Sequence, residues 1–278
     1  MGKKYAVFID GDNISSSYLD AIMTEIVKEN DDILIKRIYG DWTTTNMNSW
    51  KDKLQNSPIR IFQQFRNGEN ATDNAIIMDA IELAIQKKDI NAFCIVSTDA
   101  DYYSLALRLR ENGKYVLGIG KETSKIIWQN SCNKFVKIEN ILKDEKLSKE
   151  SNEEELLEEN NNTENTEKII ENNIDNENKK EVISRKVKIV YRKLTDLDTI
   201  TNLDTIFEYG FIYSRINTDG WIGLADFGSC INAKYPSFDP RTYGAERLLP
   251  LIRSHYKDED IEIKNDNHFP PNYYLRKK

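Results

Sequence analysis

Histidine and cysteine are scarce: the chain of 278 residues has two of the first and three of the second. Both histidines, His255 and His268, lie in the C-terminal third, so no Ser/His or Cys/His nucleophile arrangement is open to the rest of the chain. Cys94, Cys132 and Cys230 are isolated, odd in number and without CxxC spacing, which excludes a disulfide framework and a cysteine zinc site. They read as reduced thiols, and a cytoplasmic location is expected. No apolar run approaches the roughly 18 residues of a spanning helix. Met1-Gly2-Lys3-Lys4 leads straight into a short apolar strand with no signal-peptide core, so neither secretion nor a membrane partner is expected.

Charge is present but unevenly spread. The net charge of -7 resolves into 0 over 1–143, -8 over 144–180 and +1 over 181–278. The acidic balance therefore belongs to the middle segment and does not argue against nucleic-acid binding by the flanking ones. Between Asp144 and Lys180 run Glu153-Glu154-Glu155, Glu158-Glu159 and Asn160-Asn161-Asn162, with no aromatic residue. Such a stretch buries too little apolar area to offset its ordering entropy. Three parts follow: a domain over 1–143, an acidic disordered linker over 144–180 and a second domain over 181–278.

In the first part, the apolar run Tyr5–Ile9 suits a buried parallel strand. Ile33–Tyr39, Ile59–Phe62, Phe93–Ser97 and Tyr115–Ile119 have the same character. Helical patterns lie between them. Over Asp73–Ile85, the residues Ile76, Ile77, Ala80, Ile81, Ala84 and Ile85 form one apolar stripe, and Tyr103–Asn112 repeats the idea before Gly113. Alternating strands and helices predict an α/β sandwich around a mostly parallel sheet, with ligands beyond the carboxyl ends of the strands.

At those ends stand Asp10, Gly11, Asp12 and Asn13 after the first strand, and Ser97, Thr98, Asp99, Ala100 and Asp101 after the fourth. Asp73 opens its helix in line with the apolar stripe and should project to the same rim. Asp79 is about 120° further around that helix and reads as structural. Alone, Asp73 or Asp99 reads as a helix N-cap and Asp10 as a turn former. Together, Asp10, Asp73, Asp99 and Asp101 would repel one another unless protonated or neutralised by a cation, and a hard divalent ion on oxygen ligands answers that need. Asp12, Asn13, Ser97 and Asp41 are supporting candidates, as suited to bracing loops as to touching an ion or substrate.

The motifs FIDGDN (Phe8–Asn13), NATDNAIIMDA (Asn70–Ala80), FCIVSTDADYYSLALRLRENGKYVLGIG (Phe93–Gly120) and CNKFVKIENI (Cys132–Ile141) resemble, in that order, the NYN family, a branch of the PIN-like nucleases. The resemblance implies a three-layer α/β/α sandwich and ribonuclease chemistry, with Asp10, Asp73, Asp99 and Asp101 on the family's acidic positions. The chain departs from it at Asn70-Ala71, where many members carry Lys-Gly, so no lysine is available there to hold a phosphate.

In the last part, Leu203–Ile216, Leu224–Lys234 and Tyr243–Tyr256 have helical spacing, and the strands Ile261–Lys264 and Tyr273–Arg276 suit a wing. Phe238 and Trp221 are expected in the core, with Asp239-Pro240 and Gly244 setting the turn before the third helix. The segment Gly220–Ile252, notably FDPRTYG at Phe238–Gly244, is similar to the OST-HTH (LOTUS) domain, a winged helix-turn-helix. That resemblance implies a module binding RNA or protein, with Lys234, Arg241, Arg247, Arg253 and the tail Arg276-Lys277-Lys278 as candidate phosphate contacts.

The reading with most support is a ribonuclease, a hydrolase of endoribonuclease type, that uses Mg2+ or Mn2+ to hydrolyse RNA phosphodiester bonds and carries an RNA-binding module. The alternatives are a non-catalytic RNA-binding adaptor and a haloacid-dehalogenase-like phosphatase, whose paired aspartates Asp10-Gly11-Asp12 mimics. A nucleotide-binding dehydrogenase is weaker, because Gly118-Ile119-Gly120 lacks a third glycine and follows a late strand.

Overall fold

The run YAVFI becomes the buried middle of a sheet. β1 (Lys4–Asp10) is covered from Tyr5 to Asp10 and lies between β2 (Asp32–Gly40) and β4 (Ala92–Val96). With β3 (Arg60–Gln63), β5 (Tyr115–Gly120) and β6 (Lys134–Lys137), they form a six-stranded sheet in the order β3-β2-β1-β4-β5-β6. Every pairing is parallel. The computed structural model describes residues 2–28, 31–65, 70–144, 202–266 and 268–278, in two compact units, one of them built on Met1–Lys143. Beyond Asp144, the linker expected over 144–180 lies outside the described residues.

Alternation along β1 divides the apolar side chains between two layers. Tyr5, Val7 and Ile9 pack with Leu19, Ile22 and Ile26 of α1 (Leu19–Val27) and Trp50 of α2 (Asn48–Leu54). Ala6 and Phe8 pack with Ile76, Ala80 and Leu83 of α3 (Ala71–Gln86), Leu105 and Leu109 of α4 (Tyr103–Glu111) and Trp128 of α5 (Ile126–Ser131). Each fully buried Phe or Ile contributes roughly 1.5–3 kcal/mol, so both faces of β1 anchor a layer. The result is the α/β sandwich expected from the alternation, in the three-layer α/β/α form that the family resemblance implied.

Strand order fixes where a ligand can sit. The chain runs outward from β1 through β2 to β3, and α3 then carries it across to β4 on the other side of β1. The carboxyl ends of β1 and β4 therefore border the point where the winding reverses, and the crevice of an open α/β sheet opens there. The four residues of β6, KFVK, are too few for a periodic signal. Only pairing with β5 identifies them as a strand.

In the C-terminal unit, α6 (Leu203–Tyr213) is capped by Asn202, whose side chain accepts from Asp204 N at 3.0 Å. Phe207 and Phe211 of α6 pack on Phe227 of α7 (Leu224–Lys234) with ring centroids 6.1 and 4.9 Å apart. Gly210 lets the helices close, since a Cβ there would stand 2.6 Å from the Phe227 ring. The third helix, α8 (Leu248–His255), is shorter than the expected Tyr243–Tyr256. Pro240–Tyr243 form a 3-10 turn capped by Asp239, and Gly244 at φ 78 turns the chain out of helical geometry. The wing has three strands, because β7 (Ile222–Gly223) joins β8 (Ile261–Asn265) and β9 (Tyr273–Lys277) in the antiparallel order β7-β9-β8. Two expectations fail here: Trp221 and Phe238 are only half-buried, and Trp221 stands beside the wing sheet because Ile222 takes the inward position.

Candidate active site

Asp10 ends β1 and is 4% exposed. Its carboxylate accepts hydrogen bonds from Ser97 Oγ at 3.0 Å, Tyr102 OH at 3.3 Å and Asn13 N at 3.2 Å. These bonds favour the charged form, but burial, the charge of Asp73 and that of Asp12 outweigh them and push Asp10 up to about 7.

Asp73 lies in the first turn of α3 rather than at its cap, which is Asn70 in the left-handed region at φ 62. An asparagine tolerates that backbone better than most residues, a physical reason for Asn70 at this bend. Half-burial raises the pKa of Asp73; the Tyr102 hydroxyl opposes this, and the charges of Asp99 and Asp101 add to it. Asp99 caps the 3-10 turn Ala100–Tyr102, its side chain accepting from Asp101 N at 3.1 Å. The bland N-cap role expected of a lone aspartate thus coexists with a place among the acids.

The structure brings the four predicted acids into electrostatic contact, Asp10 with Asp73, and Asp73 with Asp99 and Asp101. It does not gather them into a ready-made cage. Among the described residues, no three His, Cys, Asp or Glu side chains stand in a cation-holding group.

The supporting residues build the floor. Ser97 donates to Asp10 through its Oγ, which in turn accepts from Asp99 N at 3.1 Å, so one hydroxyl ties β1 to the loop after β4. Asn13 Oδ1 accepts from Thr98 N at 3.1 Å. Asp12 accepts from Thr72 Oγ1 at 2.8 Å and Asp41 N at 3.3 Å, binding the β1 loop to α3 and β2. Asp41 accepts from Thr43 N at 3.1 Å and Gln63 Nε2 at 2.9 Å, so it braces its loop. Asp79 is ion-paired to Arg37 at 2.6 Å and accepts from the Tyr39 hydroxyl, the structural role its helical angle suggested.

Tyr102 and Thr72 were not foreseen. Tyr102 is fully buried and hydrogen-bonded to both Asp10 and Asp73; burial first, then the charges of these two acids and the bonds to them, raise its phenol pKa well above normal. Nothing in the run DADYY separates it from Tyr103, which is exposed; only the helical phase after the turn decides. Thr98 Oγ1 and Ser124 Oγ are buried without a hydrogen-bond partner, at the carboxyl ends of β4 and β5. Such an atom costs about 1–3 kcal/mol unless a ligand or water satisfies it.

The pair Gly118 and Gly120 has a packing explanation. A Cβ on Gly118 would meet Cys132 Sγ at 2.6 Å, and one on Gly120 would meet the Ser97 carbonyl at 2.7 Å, so neither glycine is kept for a dinucleotide. Cys94 and Cys132 are free and buried, and burial raises both thiol pKa values, that of Cys132 to about 12.

In the last part of the chain, Lys234, Arg247 and Arg253 are exposed as expected of phosphate contacts, while Arg241 is not. Its guanidinium is half-buried and bonded to the Asp239 carboxylate at 2.7–3.0 Å, which holds it in the turn before α8. Among the described residues, no helix is long and apolar enough to cross a membrane.

Residues 4–139 match the NYN domain family, and residues 201–271 match the OST-HTH/LOTUS domain family. No curated protein matches the chain. Among solved structures, a protein of unknown function, VPA0982 from Vibrio parahaemolyticus RIMD 2210633, is similar at 19% identity and a TM-score of 0.41, over 49% of this chain and 93% of that one.

Proposed function

The chain carries an NYN domain, of the PIN-like nuclease superfamily, followed by an OST-HTH/LOTUS domain, and from that architecture we propose that it is a divalent-metal-dependent ribonuclease whose C-terminal domain holds the RNA. The observation that carries the reading is Asp10. It is a buried carboxylate at the reversal point of a parallel sheet, with its proton affinity raised by burial and by Asp73 and Asp12.

A carboxylate in that position is stabilised by a nearby cation, and all four candidate donors, Asp10, Asp73, Asp99 and Asp101, offer the hard oxygens that Mg2+ or Mn2+ takes. Bound there, the ion would supply an activated water and charge neutralisation for the phosphodiester transition state. The protein's own groups orient and restrain. Ser97 and Tyr102 hold Asp10 in place, Asp99 is fixed by its cap, and Asp101 stands exposed at the rim where a strand of RNA would pass.

A second reading, a non-catalytic RNA-binding adaptor, draws on one observation: the acids are not gathered into a preset cage. Incubating the full chain with single-stranded RNA, with and without Mn2+, separates the two. Cleavage that requires the metal and is lost in Asp10→Asn and Asp99→Asn supports the nuclease; metal-independent binding with no product supports the adaptor. A phosphatase nucleophile at Asp10 is disfavoured, since its hydrogen-bond partners are a serine, a tyrosine and a backbone amide, with no lysine among them.

A further inference from the structure

The register of the C-terminal sheet sorts its side chains onto two faces. Ile222, Leu275 and Ile263 share one cross-strand row, and Ile222 and Leu275 are buried. The flanking rows alternate to the other face: Arg276 opposite Glu262, and Tyr274 between Gly223 and Lys264. Trp221, immediately before Ile222, joins this outer face. Lys264 Nζ stands 4.2 Å from the Trp221 ring centroid and 5.8 Å from that of Tyr274, and the Arg276 guanidinium carbon stands 4.4 Å from the Trp221 ring.

Two rings are thus half-exposed beneath two exposed cations. Arg276 shares its charge with Glu262, whereas Lys264 has no acidic partner among the described residues. On the loop joining β8 to β9, Phe269 is 100% exposed. That loop is braced by Asp266, which accepts from Asn272 N at 2.9 Å and Nδ2 at 2.6 Å.

We propose that this outer face of the wing, with Trp221, Lys264, Tyr274 and Arg276, is where the C-terminal domain takes single-stranded RNA, bases stacking on the rings and phosphates meeting the cations. The assignment rests on the reading of that domain as RNA-binding. Magnitudes favour the exchange: an exposed cation–π contact is worth about 0.5–1 kcal/mol, a stacked base about 1–3 kcal/mol. A base therefore displaces the Lys264 ammonium from the indole, and its flexible stem carries the charge to a phosphate. A duplex hides its base faces and gains only the charge term, so the face discriminates for unpaired strands.

The test is binding of the full chain, with metal chelated, to a labelled single-stranded RNA of about 12 nucleotides and to the matching duplex. Trp221→Ala should weaken single-strand binding about tenfold and duplex binding much less, with Trp221→Phe restoring most of the loss. Lys264→Glu, at an exposed position, should weaken both forms, and Lys264→Ala should lower the salt slope by about one. If both wing substitutions bind like wild type while replacing Lys234, Arg247 and Arg253 abolishes binding, the wing assignment is overturned and RNA binding by the domain stands. If wild type binds neither form, RNA binding by the domain itself falls.

Discussion

Asp10 concentrates most of the energetic tension in the N-terminal domain. Its carboxyl is raised from 3.8 to about 7 in the metal-free fold by burial, Asp73 and Asp12, so the folded state takes up a proton between those values that the unfolded chain does not. That contribution is fully present below the unfolded value and is lost as pH rises through 7. Asp10→Asn mimics the neutral form. Metal-free Asp10→Asn should match wild type in stability near pH 3.5, below the unfolded value, and exceed it near pH 8 by about 2–4 kcal/mol, read by denaturant titration at both pH values. An equal difference at the two would refute the account of a buried, crowded carboxylate. The same variant should lose metal-dependent cleavage. Tyr102→Phe removes a hydrogen bond that lowers the proton affinity of Asp10. The Asp10 titration, followed by carboxyl NMR in the metal-free protein, should move upward, at a stability cost of about 1 kcal/mol; an unmoved titration would show that the hydroxyl does not hold the acid. The places of Asp10, Asp99 and Asp101 just after strands, and of Asp73 at the start of a helix, were legible in the sequence. Tyr102 was not, because its role depends on which of two adjacent tyrosines the helical turn faces inward.

Between elements, β2 and α3 are joined by a polar contact as well as by packing. Arg37 of β2 and Asp79 of α3 form a partly buried pair at 2.6 Å that also engages the Tyr39 hydroxyl. Asp79→Ala leaves a half-buried guanidinium without its acid and should cost about 1–3 kcal/mol, while metal affinity measured by calorimetry changes little. Loss of metal binding in a folded Asp79→Ala protein would instead make Asp79 part of the site. At the seam of β4 and β5, a methyl on Gly120 presses on the Ser97 carbonyl. Gly120→Ala should therefore cost about 1–3 kcal/mol and reduce cleavage through displacement of Ser97. Reduced stability with full activity would place the strain elsewhere. The long apolar stripe of α3 and the runs of β1 and β4 were legible from period alone, whereas β6, β7 and the early end of the third C-terminal helix were not. Two to four residues carry no period, and the end of that helix depends on backbone angles near Gly244.

For the chain as a whole, charge separates binding from chemistry. The segment 1–143 has no net charge and an acidic centre, so it offers little attraction to a polyanion. If the C-terminal domain supplies the grip, deleting 181–278 should raise KM for RNA at least tenfold and leave kcat nearly unchanged, because tethering raises local RNA concentration without touching the chemistry. Kinetics of the two forms on one single-stranded RNA decide it. Equal KM values would turn the C-terminal domain into a protein-docking module.

Strands, helices and acids at strand ends follow from local properties: hydrophobic period, turn residues and charge spacing are written in consecutive residues. From them the sequence alone yields two domains, a parallel α/β sandwich and the identity of Asp10, Asp73, Asp99 and Asp101. Which of those acids is buried, and which hydroxyls hold it, arises only when β4 is laid beside β1 and brings Ser97 and Tyr102 to Asp10 across some ninety positions of chain. The same holds for Trp221, left half-exposed because Ile222 takes the inward place opposite Leu275 of β9. Burial and partnership belong to pairs of residues distant in sequence, and no pattern along one segment encodes them.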